Sequence, residues 1–532
     1  MYDIIIKSRN IYSPDGSGCR AGMIFIKDGK IAKLAFGDGG ALPAEDAGRI
    51  VDCGDGTVLP GFCDSHIHGF LGSLQQSSVD LSESRSAEEA AEMTQSFYRT
   101  SESSRLIGFG WNHYNWKDGK IPDRHSLDPL FRDRPVYLFN EELHSLWLNT
   151  AALEEAGIDE NSKQPSGGEI VKDAYGRPTG YLLEPAAVNL AAPLIFGMSR
   201  REKTEIYENL IGRAAGCGIT ALGDIQIYDT LDCGIYSRLE EEGRLNCRIF
   251  PVFPMAADID ELCRLREVYD SRFIRFSGVK EFLDGTAAMH TGMLVDGYED
   301  RPGYNAPPLV DVDATVKKAV ALDAEGFRIR FHACGAGAVR LALDIFEEVR
   351  KKNGAGGRHC VEHIENISPQ DIPRFRELGV IASVQPDHLV ADRFEDHPFH
   401  KILGPKRCRW TWPFKSLAAS GADMAFGTDY PVSPLNPMQS IYRAVSRLHE
   451  DGKPDGGWNP EQKLSVSEAV DFYTSGSARL MYAEDRFGVI AEGMDADLCI
   501  VGGRLLDMSP DEIRSAQTVM TICAGRITHS AF

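Results

Sequence analysis

The stretch Leu59-Pro60-Gly61-Phe62-Cys63-Asp64-Ser65-His66-Ile67-His68-Gly69 organises the whole chain. It reads as a strand that is entered through a Pro-Gly turn and ends in two histidines two residues apart. On a strand, residues i and i+2 point to the same face, so His66 and His68 can direct both imidazoles to one point. Neutral imidazole is the commonest side-chain metal ligand. An isolated pair of this kind is more often two polar residues of a half-exposed strand, so the prediction of a metal site depends on partners elsewhere in the chain.

The composition is that of an ordinary globular protein with an acidic surface. The chain has 532 residues, of which 43% are hydrophobic and 25% charged, and its formal net charge is −21. This negative charge argues against nucleic acid or an anionic membrane as a partner, and we expect a small-molecule substrate instead. The N-terminal run is too short and polar for a signal peptide, and no apolar run approaches the ~20 residues that cross a bilayer. The cysteines form no C-x-x-C pair, and together these features predict a cytoplasmic protein with reduced thiols.

The order of the predicted elements indicates an α/β fold built on a (β/α)8 TIM-like barrel. Eight strand candidates alternate with helices, among them Ile219–Asp224, Ile274–Leu283 and Cys360–His363, and a further strand is predicted at Leu106–Trp111. Repeated βα units of this number favour a closed parallel barrel. We expect the barrel to span residues 58–71 and 206–485. The β-rich ends, 1–57 and 486–532, predict a small composite β-sandwich domain. The intervening residues 72–205 predict an inserted α/β lid segment that covers the site.

Further side chains with metal-ligand chemistry stand at the ends of other predicted barrel strands, where the active sites of such barrels lie. Strand four carries Lys280 in a largely apolar run, and strands five and six end at His332 and His363. Strand eight ends at Asp429. Each residue alone is a weak signal, because a strand-end histidine is more often a hydrogen-bonded core residue. Together with the histidine pair of strand one, the set suits zinc, although iron, manganese or nickel use similar ligands.

The sequence resembles the amidohydrolase superfamily of metal-dependent hydrolases, in particular the branch, amidohydrolase family 3, that contains N-substituted formamide deformylase. The resemblance extends over almost the whole chain. The segments that carry it are LPGFCDSHIH (59–68), RPVYLFNEELHSLWLNTAAL (134–153), GGEIVKDAYGRPTGYLLEPA (167–186), GVKEFLDGT (278–286), FHACGAGAV (331–339), VEHIENISPQDIPRFRELGVIASVQPDH (361–388), FGTDYPVSPLNPMQSIYRAVSR (426–447) and GSARLMYAEDRFGVIAEGMDADLCIV (476–501).

This resemblance implies metal-dependent hydrolysis of a C–N bond in an amide or formamide-like substrate. It implies six metal ligands: His66, His68, Lys280, His332, His363 and Asp429. Lys280 matches a lysine that CO₂ carboxylates in related binuclear members, where it bridges two metals. A free ammonium has only donors and cannot ligate a cation, so without carboxylation Lys280 would lie beside a single metal. We therefore expect one or two divalent ions per chain, most simply zinc, with Asp429 as the general base and acid.

Five residues are candidates for substrate binding: Trp111, His113, His144, Gln385 and His388. A packed core of the insertion explains the aromatic run around Trp111 equally well. One departure from the family concerns the residues after strand five. Family members often read His-Ala-x-Gly-Asp-Arg-Ala there, whereas this chain has Ala336 and Gly337 in place of the Asp and Arg. The predicted ligands are unaffected, but the substrate stays open.

Other functions also stay open at this point. A deaminase of a cyclic amidine would use a similar barrel with one metal, but the glutamate that usually follows strand five in that group is missing after His332. A non-catalytic scaffold of the same fold would be expected to lose ligands, whereas all six positions are filled. Hydrolysis of an ester, lactone or phosphoester on the same metals is a third alternative, because fold and metals do not fix the substrate. The family resemblance also implies a homodimer.

Overall fold

The computed structural model describes residues 1–13, 18–37, 47–100, 105–117, 119–228 and 230–531. The strands are β1 Tyr2–Ser13, β2 Gly18–Lys27, β3 Lys30–Phe36, β4 Ala47–Asp52, β5 Thr57–Pro60, β6 Phe62–Ile67, β7 Val79–Asp80, β8 Leu106–Trp111, β9 Val136–Asn140, β10 Ser145–Leu148, β11 Glu169–Lys172, β12 Pro178–Leu183, β13 Ile219–Asp224, β14 Arg248–Ile249, β15 Val252–Pro254, β16 Gly278–Phe282, β17 Ile329–Ala333, β18 Cys360–His363, β19 Ile381–Val384, β20 Met424–Phe426, β21 Leu498–Val501, β22 Thr518–Cys523 and β23 Arg526–Ser530.

The α-helices are α1 Gly69–Gln75, α2 Ala87–Phe97, α3 Arg124–Leu127, α4 Thr150–Glu155, α5 Pro185–Val188, α6 Ala192–Phe196, α7 Arg200–Gly216, α8 Cys233–Glu241, α9 Ile259–Val268, α10 Val312–Ala324, α11 Ala336–Asn353, α12 Ile372–Leu378, α13 Phe399–Ile402, α14 Gly404–Cys408, α15 Phe414–Ala419, α16 Pro437–Ser446, α17 Val466–Asp471, α18 Ser477–Leu480 and α19 Pro510–Ser515. None of the helices in these described ranges is long and apolar enough to cross a membrane.

Parallel strands in the centre of the chain pair in a closed ring. β6 pairs with β13, and β15 to β20 follow one another as parallel neighbours. β14 also pairs with β13, and single parallel bridges join Ile225 to Val252 and Ile67 to Tyr430. The ring has eight strand positions when β14 and β15 are counted as one interrupted strand. The α/β class is thus confirmed, and we interpret the ring as the predicted (β/α)8 barrel.

Helix α11 illustrates how the sequence covers the outside of this ring. Its residues Val339, Leu343 and Phe346 recur at helical spacing and are all buried. They form one apolar stripe, which packs on the strands, and the ring of Phe346 stacks on that of Phe331 in β17 at 4.9 Å between centroids. The helix ends at Asn353 and is capped by Gly354, whose φ of +92° is open to glycine but costly for other residues.

The two ends of the chain share one eight-stranded sheet in the order β23-β22-β21-β5-β1-β2-β3, with β4 beside β1. β5 joins the ends because it pairs with both β21 and β1. The sheet therefore extends to Pro60, beyond the predicted boundary at residue 57. Apolar side chains from both ends, including Ile24 and Ile500, form a common buried cluster. The hydrogen bonds describe one continuous sheet, and its two-layer sandwich arrangement stays a prediction.

A separate six-stranded sheet, ordered β11-β12-β10-β9-β8-β7, lies within the predicted insertion 72–205. The sheet is mixed. Strand β8 pairs in parallel with both β7 and β9, whereas the pairs β9–β10, β10–β12 and β12–β11 are antiparallel. The sheet has its own core, in which Trp111, Trp147 and Tyr181 are buried together. The insertion is therefore a folded unit rather than a long irregular loop.

Candidate metal centre

Backbone hydrogen bonds between the first and last strands of the ring bring three predicted ligands together. The amide of Asp429 donates to the carbonyl of His66, and the amide of His68 donates to the carbonyl of Tyr430, each at 2.7 Å. Asp429 has a φ of +58°, in the left-handed region that non-glycine residues occupy only at a cost. Strain of this kind recurs at functional sites, where the surrounding structure holds a side chain in a required direction.

The hydrogen-bond partners of the two histidines fix which ring nitrogen carries the proton. Nδ1 of His66 lies 2.9 Å from Oε2 of Glu362, and Nδ1 of His68 lies 3.0 Å from the carbonyl oxygen of Ile225. Both partners are acceptors, so each Nδ1 carries the hydrogen and each Nε2 presents a lone pair. Burial, with a further contribution from Lys280, lowers the pKa of His66 to about 4, which keeps the ring neutral.

Both Nε2 atoms face the same carboxylate oxygen. Oδ1 of Asp429 lies 3.3 Å from Nε2 of His66 and 3.2 Å from Nε2 of His68. Three acceptor atoms thus converge with no hydrogen to share, and all three side chains are buried. Lone pairs at such distances repel one another unless a cation lies among them. The donor set, two imidazoles and a carboxylate, fits a divalent transition metal.

The buried residues Arg330 and Glu362 hold the imidazole of His66 in place. Nε of Arg330 donates to Oε1 of Glu362 at 2.6 Å, and Nη2 of Arg330 donates to the carbonyl of Ser65 at 2.8 Å. Burial opposes the charge of Glu362, but Arg330 and then His66 hold its pKa well below its ordinary value. Outer-shell carboxylates of this kind orient metal-binding histidines. The sequence prediction missed both residues, although a charged residue in a buried strand is the same signal that identified Lys280.

Two more histidines lie near the other oxygen of Asp429, and a third histidine contacts one of these two. Oδ2 of Asp429 lies 3.6 Å from Nε2 of His388 and 3.9 Å from Nδ1 of His363. The ring of His332 lies 4.4 Å from that of His363, centroid to centroid. Potential metal-ligand atoms form two groups, and within each group all the atoms lie within 4.8 Å of one another. One group comes from His66, His363 and Asp429, and the other from His332, His363 and Cys334. Cys334 was not predicted.

Lys280 projects from β16, which pairs with β17, the strand that carries His332. Its Nζ is buried and has no hydrogen-bond partner among the described residues, and it lies 5.2 Å from the centre of the Phe282 ring. Burial lowers the pKa of Lys280, which favours the neutral amine. A neutral amine is the form that can react with CO₂, so the environment is compatible with the predicted carboxylation.

Two of the predicted substrate-binding residues lie in the core of the insertion. Trp111 is fully buried, donates from Nε1 to the carbonyl of Leu138 at 2.9 Å, and contacts the rings of Trp116 and Trp147. His113 is buried between Trp111 and Tyr114, and burial lowers its pKa to about 4. These contacts describe packing within the insertion, and a substrate role for this pair stays a prediction.

The other predicted substrate-binding residues lie closer to the ligands. His388 stacks on His363 with 5.6 Å between ring centroids, and Nδ1 of His388 lies 3.3 Å from Oε1 of Glu365. Gln385 is 1% exposed, and neither atom of its amide has a hydrogen-bond partner among the described residues. His144 lies 2.7 Å from Glu184, and although burial opposes its charge, Glu184 raises the pKa of His144 to about 9.

Packing of the loop after β16 accounts for the glycine at position 337, where family members often have arginine. The amide of Gly337 donates to the carbonyl of Met293 at 2.8 Å. A Cβ at position 337 would lie 2.7 Å from the carbonyl oxygen of Leu294 and 2.8 Å from that of Met293. The loop therefore occupies the space that an arginine side chain would need. Asp284 holds this arrangement by accepting hydrogen bonds from the amides of Met293, Cys334 and Gly335 at 2.8–3.0 Å.

Known proteins resemble the chain over almost its full length. A family model described as "Amidohydrolase family" matches residues 49–529. The chain is 29% identical to the putative amidohydrolase YtcJ of Bacillus subtilis over 98% of both chains. It is 24% identical to N-substituted formamide deformylase of Arthrobacter pascens over 99% of this chain and 98% of that protein. The crystal structure of an uncharacterised metal-dependent hydrolase from Pyrococcus horikoshii matches with a TM-score of 0.75 at 22% identity, covering 96% of this chain and 99% of that one, which shows the shared fold.

Proposed function

Because the chain belongs to the amidohydrolase family, we propose that it is a metal-dependent hydrolase that cleaves the C–N bond of an amide or formamide-like substrate. The observation that carries this proposal is the convergence of the Nε2 atoms of His66 and His68 on Oδ1 of Asp429 at 3.3 and 3.2 Å. A structural hydrogen-bond network would place a proton between such atoms, whereas the partners of both Nδ1 atoms leave none there.

The residues that would hold the metal are those of the converging set and its neighbours: His66, His68, His332, His363, Asp429 and, once carboxylated, Lys280. A divalent ion such as zinc supplies Lewis acidity, which polarises a carbonyl group and lowers the pKa of water toward ~7. The unpartnered buried atoms Nζ of Lys280, Nδ1 of His363 and Oδ1 of Asp429 are compatible with such an ion.

Asp429 is the residue of this centre that can move protons. Hydrolysis forms a bond from the oxygen of water to the carbonyl carbon and breaks the C–N bond, so the departing nitrogen must gain a proton. We assign to the carboxylate of Asp429 the removal of a proton from water and its transfer to that nitrogen. Nε2 of His388 lies 3.6 Å from Oδ2 of this carboxylate, within ion-pair distance but beyond a hydrogen bond.

The insertion also belongs to the proposed active site. Thr286, in the loop after β16, donates to Oε2 of Glu142 at 2.7 Å, and the ring of His144 lies 5.2 Å from that of His332. These contacts support the interpretation that residues 72–205 cover the mouth of the barrel and exclude water from it.

The proposal is tested by assaying zinc-loaded protein against N-phenylformamide and N-phenylacetamide, with a cyclic amidine as a separate substrate. Asp429→Asn should lower kcat at least about 1,000-fold, because it removes both a ligand and the proton carrier. Asp471→Asn is the control, since that carboxylate accepts from Tyr12 at the terminal sheet. Ammonia release from the amidine without amide cleavage would favour the deaminase, and no hydrolysis of either class would contradict the proposal.

A further inference from the structure

A cavity of about 600 Å³ lies at the end of the barrel that is opposite the candidate metal centre. Gly278, at the start of β16, and Arg328, immediately before β17, belong to its wall. The candidate ligands Lys280 and His332 lie further along the same two strands. A cavity of this volume suits a small organic molecule, for which pockets of about 300–1,000 Å³ are typical. The cavity is therefore separate from the proposed active site.

The wall of this cavity includes a buried arginine whose charge is not paired. Arg328 is 1% exposed, and its Nη1 donates to the carbonyl of Arg479 at 3.2 Å. Its Nε and Nη2 have no hydrogen-bond partner among the described residues. Burial lowers the pKa of Arg328 to about 10, so the guanidinium stays charged at neutral pH. Arginines are almost never buried so completely without an acid beside them.

A second arginine contacts the same aromatic ring as Arg328. The Cζ atoms of Arg328 and Arg358 lie 3.4 and 4.7 Å from the centre of the Tyr482 ring. The hydroxyl of Tyr482 donates to the carbonyl of Gly357 at 3.0 Å, which holds the ring in place. Arg358 forms an ion pair with Glu484 through its Nη1. One of the two positive charges at this ring is thus balanced, and that of Arg328 is not.

The cavity wall as a whole is positive, although the protein is acidic. Four arginines and three carboxylates line the cavity, which gives its wall a net charge of +1 in a chain of net charge −21. Two of the carboxylates are paired, Glu484 with Arg358 and Asp270 with Arg275, the latter at 3.8 Å. The third, Asp485, is exposed. Because charges interact more strongly in a partly buried site than in water, the wall favours an anion with a single charge.

Aromatic residues of the wall indicate the rest of the ligand. Phe276, Phe327 and Tyr269 also line the cavity. The rings of Phe276 and Phe327 lie 5.5 Å apart between centroids, and Cζ of Arg266 lies 4.3 Å from the centre of the Phe327 ring. Guanidinium groups match the two oxygens of a carboxylate, whereas a phosphate group would bring a charge of about −1.5 to −2 to a wall of net charge +1. The wall therefore suits a carboxylate attached to an apolar body.

We propose that this cavity is a second ligand site, which binds a small organic carboxylate with an aromatic or alkyl body. The partly buried arginines of the wall, Arg266, Arg275 and Arg358, contact the carboxylate group. The unpaired charge of Arg328 attracts it at longer range, because that side chain is itself almost fully buried. The proposal does not depend on the reaction at the metal centre.

The test is calorimetric titration of 4-iodobenzoate into the zinc-loaded full chain. We expect one site with a Kd below about 1 mM, and at least about 10-fold weaker binding of 4-iodobenzamide, which has a similar shape and no charge. Arg328→Met should weaken binding at least about 10-fold, because the wall loses its net charge. Asp485→Asn raises that charge and should tighten binding about 2- to 5-fold. Arg264→Gln, an exposed arginine of α9 outside the cavity, is the control and should bind as wild type does.

Two further comparisons make the result specific to the cavity. Carboxylates also bind zinc, so His68→Ala, which we expect to lose metal, should keep the wild-type affinity for 4-iodobenzoate. Loss of binding in His68→Ala would place the ligand on the metal and overturn the inference. Absence of binding to wild type, tighter binding of inorganic phosphate than of 4-iodobenzoate, or unchanged affinity in Asp485→Asn and Arg328→Met would also overturn it. If Arg328→Met loses the native circular dichroism spectrum, the surface variant Asp485→Asn decides.

Discussion

The carboxylate of Glu362 accepts a hydrogen bond from Nδ1 of His66 at 2.9 Å, and neither side chain is more than 1% exposed. This single contact decides which nitrogen of His66 can bind a metal, because it places the hydrogen on Nδ1 and the lone pair on Nε2. Arg330 in turn keeps Glu362 ionised through a bond of 2.6 Å to its other oxygen. The orientation of the His66 ring on β6 thus depends on Arg330 of β17 and Glu362 of β18.

Glu362→Gln should lower zinc affinity by about 10- to 100-fold, since an amide no longer enforces the required tautomer of His66. The measurement is competition with a chromogenic chelator. Arg330 loses its charged partner in this variant, so affinity is read on protein that retains the native circular dichroism spectrum. Glu348→Gln, on the exposed side of α11, is the matched control. Equal affinity in both variants would show that Glu362 is not needed to orient the ligand.

Lys280→Ala should remove one metal ion per chain if carboxylated Lys280 bridges two ions. The loss has a simple cause, because alanine supplies no oxygen ligand in place of the carboxylated amine. Metal content by elemental analysis of wild type, Lys280→Ala and the exposed control Lys317→Ala checks it. Identical metal content in all three proteins would exclude the bridge and leave Lys280 as a neighbour of a single ion.

Gly337→Ala should destabilise the protein by about 1–3 kcal/mol, because the added Cβ would press on the carbonyl oxygens of Met293 and Leu294 at 2.7–2.8 Å. Gly212→Ala, in the interior of α7 with no atom within 4 Å of the new Cβ, should instead stabilise by about 0.5–1 kcal/mol. Urea unfolding of both variants measures the difference. If both substitutions shift stability in the same direction, the loop packing described for residue 337 is wrong.

Acid should destabilise the fold partly through His449. Burial, followed by the charge of Arg443, lowers the pKa of His449 to about 4, and its Nδ1 accepts from the amide of Ala391 at 3.1 Å. Below its unfolded pKa of about 6.5, the unfolded chain binds a proton that the folded chain does not. Stability from this residue is therefore present above pH ~6.5 and falls by up to ~1.4 kcal/mol per pH unit as the pH drops toward ~4.

His449→Asn keeps an acceptor near the amide of Ala391 and removes the titration. Its free energy of unfolding, measured in urea at about pH 6.5, 5.5 and 4.5, should therefore decline less steeply than that of wild type. His125→Asn changes an exposed histidine and should retain the wild-type slope. Parallel slopes for His449→Asn and wild type would contradict the assignment.

Much of the fold was predictable because its elements carry local signals. The strands Ile219–Asp224, Leu106–Trp111 and Cys360–His363 occur with the predicted limits. Leu106–Trp111 shows the signal most directly, because it is a continuous run of apolar residues and glycine. The limits of Ile274–Leu283 were too wide, as only Gly278–Phe282 forms the strand. Composition does not show where a ladder of hydrogen bonds begins, because that depends on the neighbouring strand.

The residues that support the candidate site were harder to predict than the candidate ligands. His66 and His68 follow a two-residue period on one strand, which a sequence shows directly. Glu362 contacts His66 from 296 residues away in the sequence, and Arg330 contacts the neighbouring carbonyl of Ser65 from 265 residues away. Such contacts arise only from the closure of the ring. The pairing of His144 with Glu184 likewise depends on the register of β10 and β12.

The central claim is that the buried set around Asp429 binds metal, and elemental analysis of protein purified without chelator tests it most directly. We predict about two transition-metal ions per wild-type chain and a loss of at least one in His68→Ala. No transition metal in wild type, even after reconstitution with zinc, would contradict the account and leave a protein that keeps the amidohydrolase fold without its chemistry.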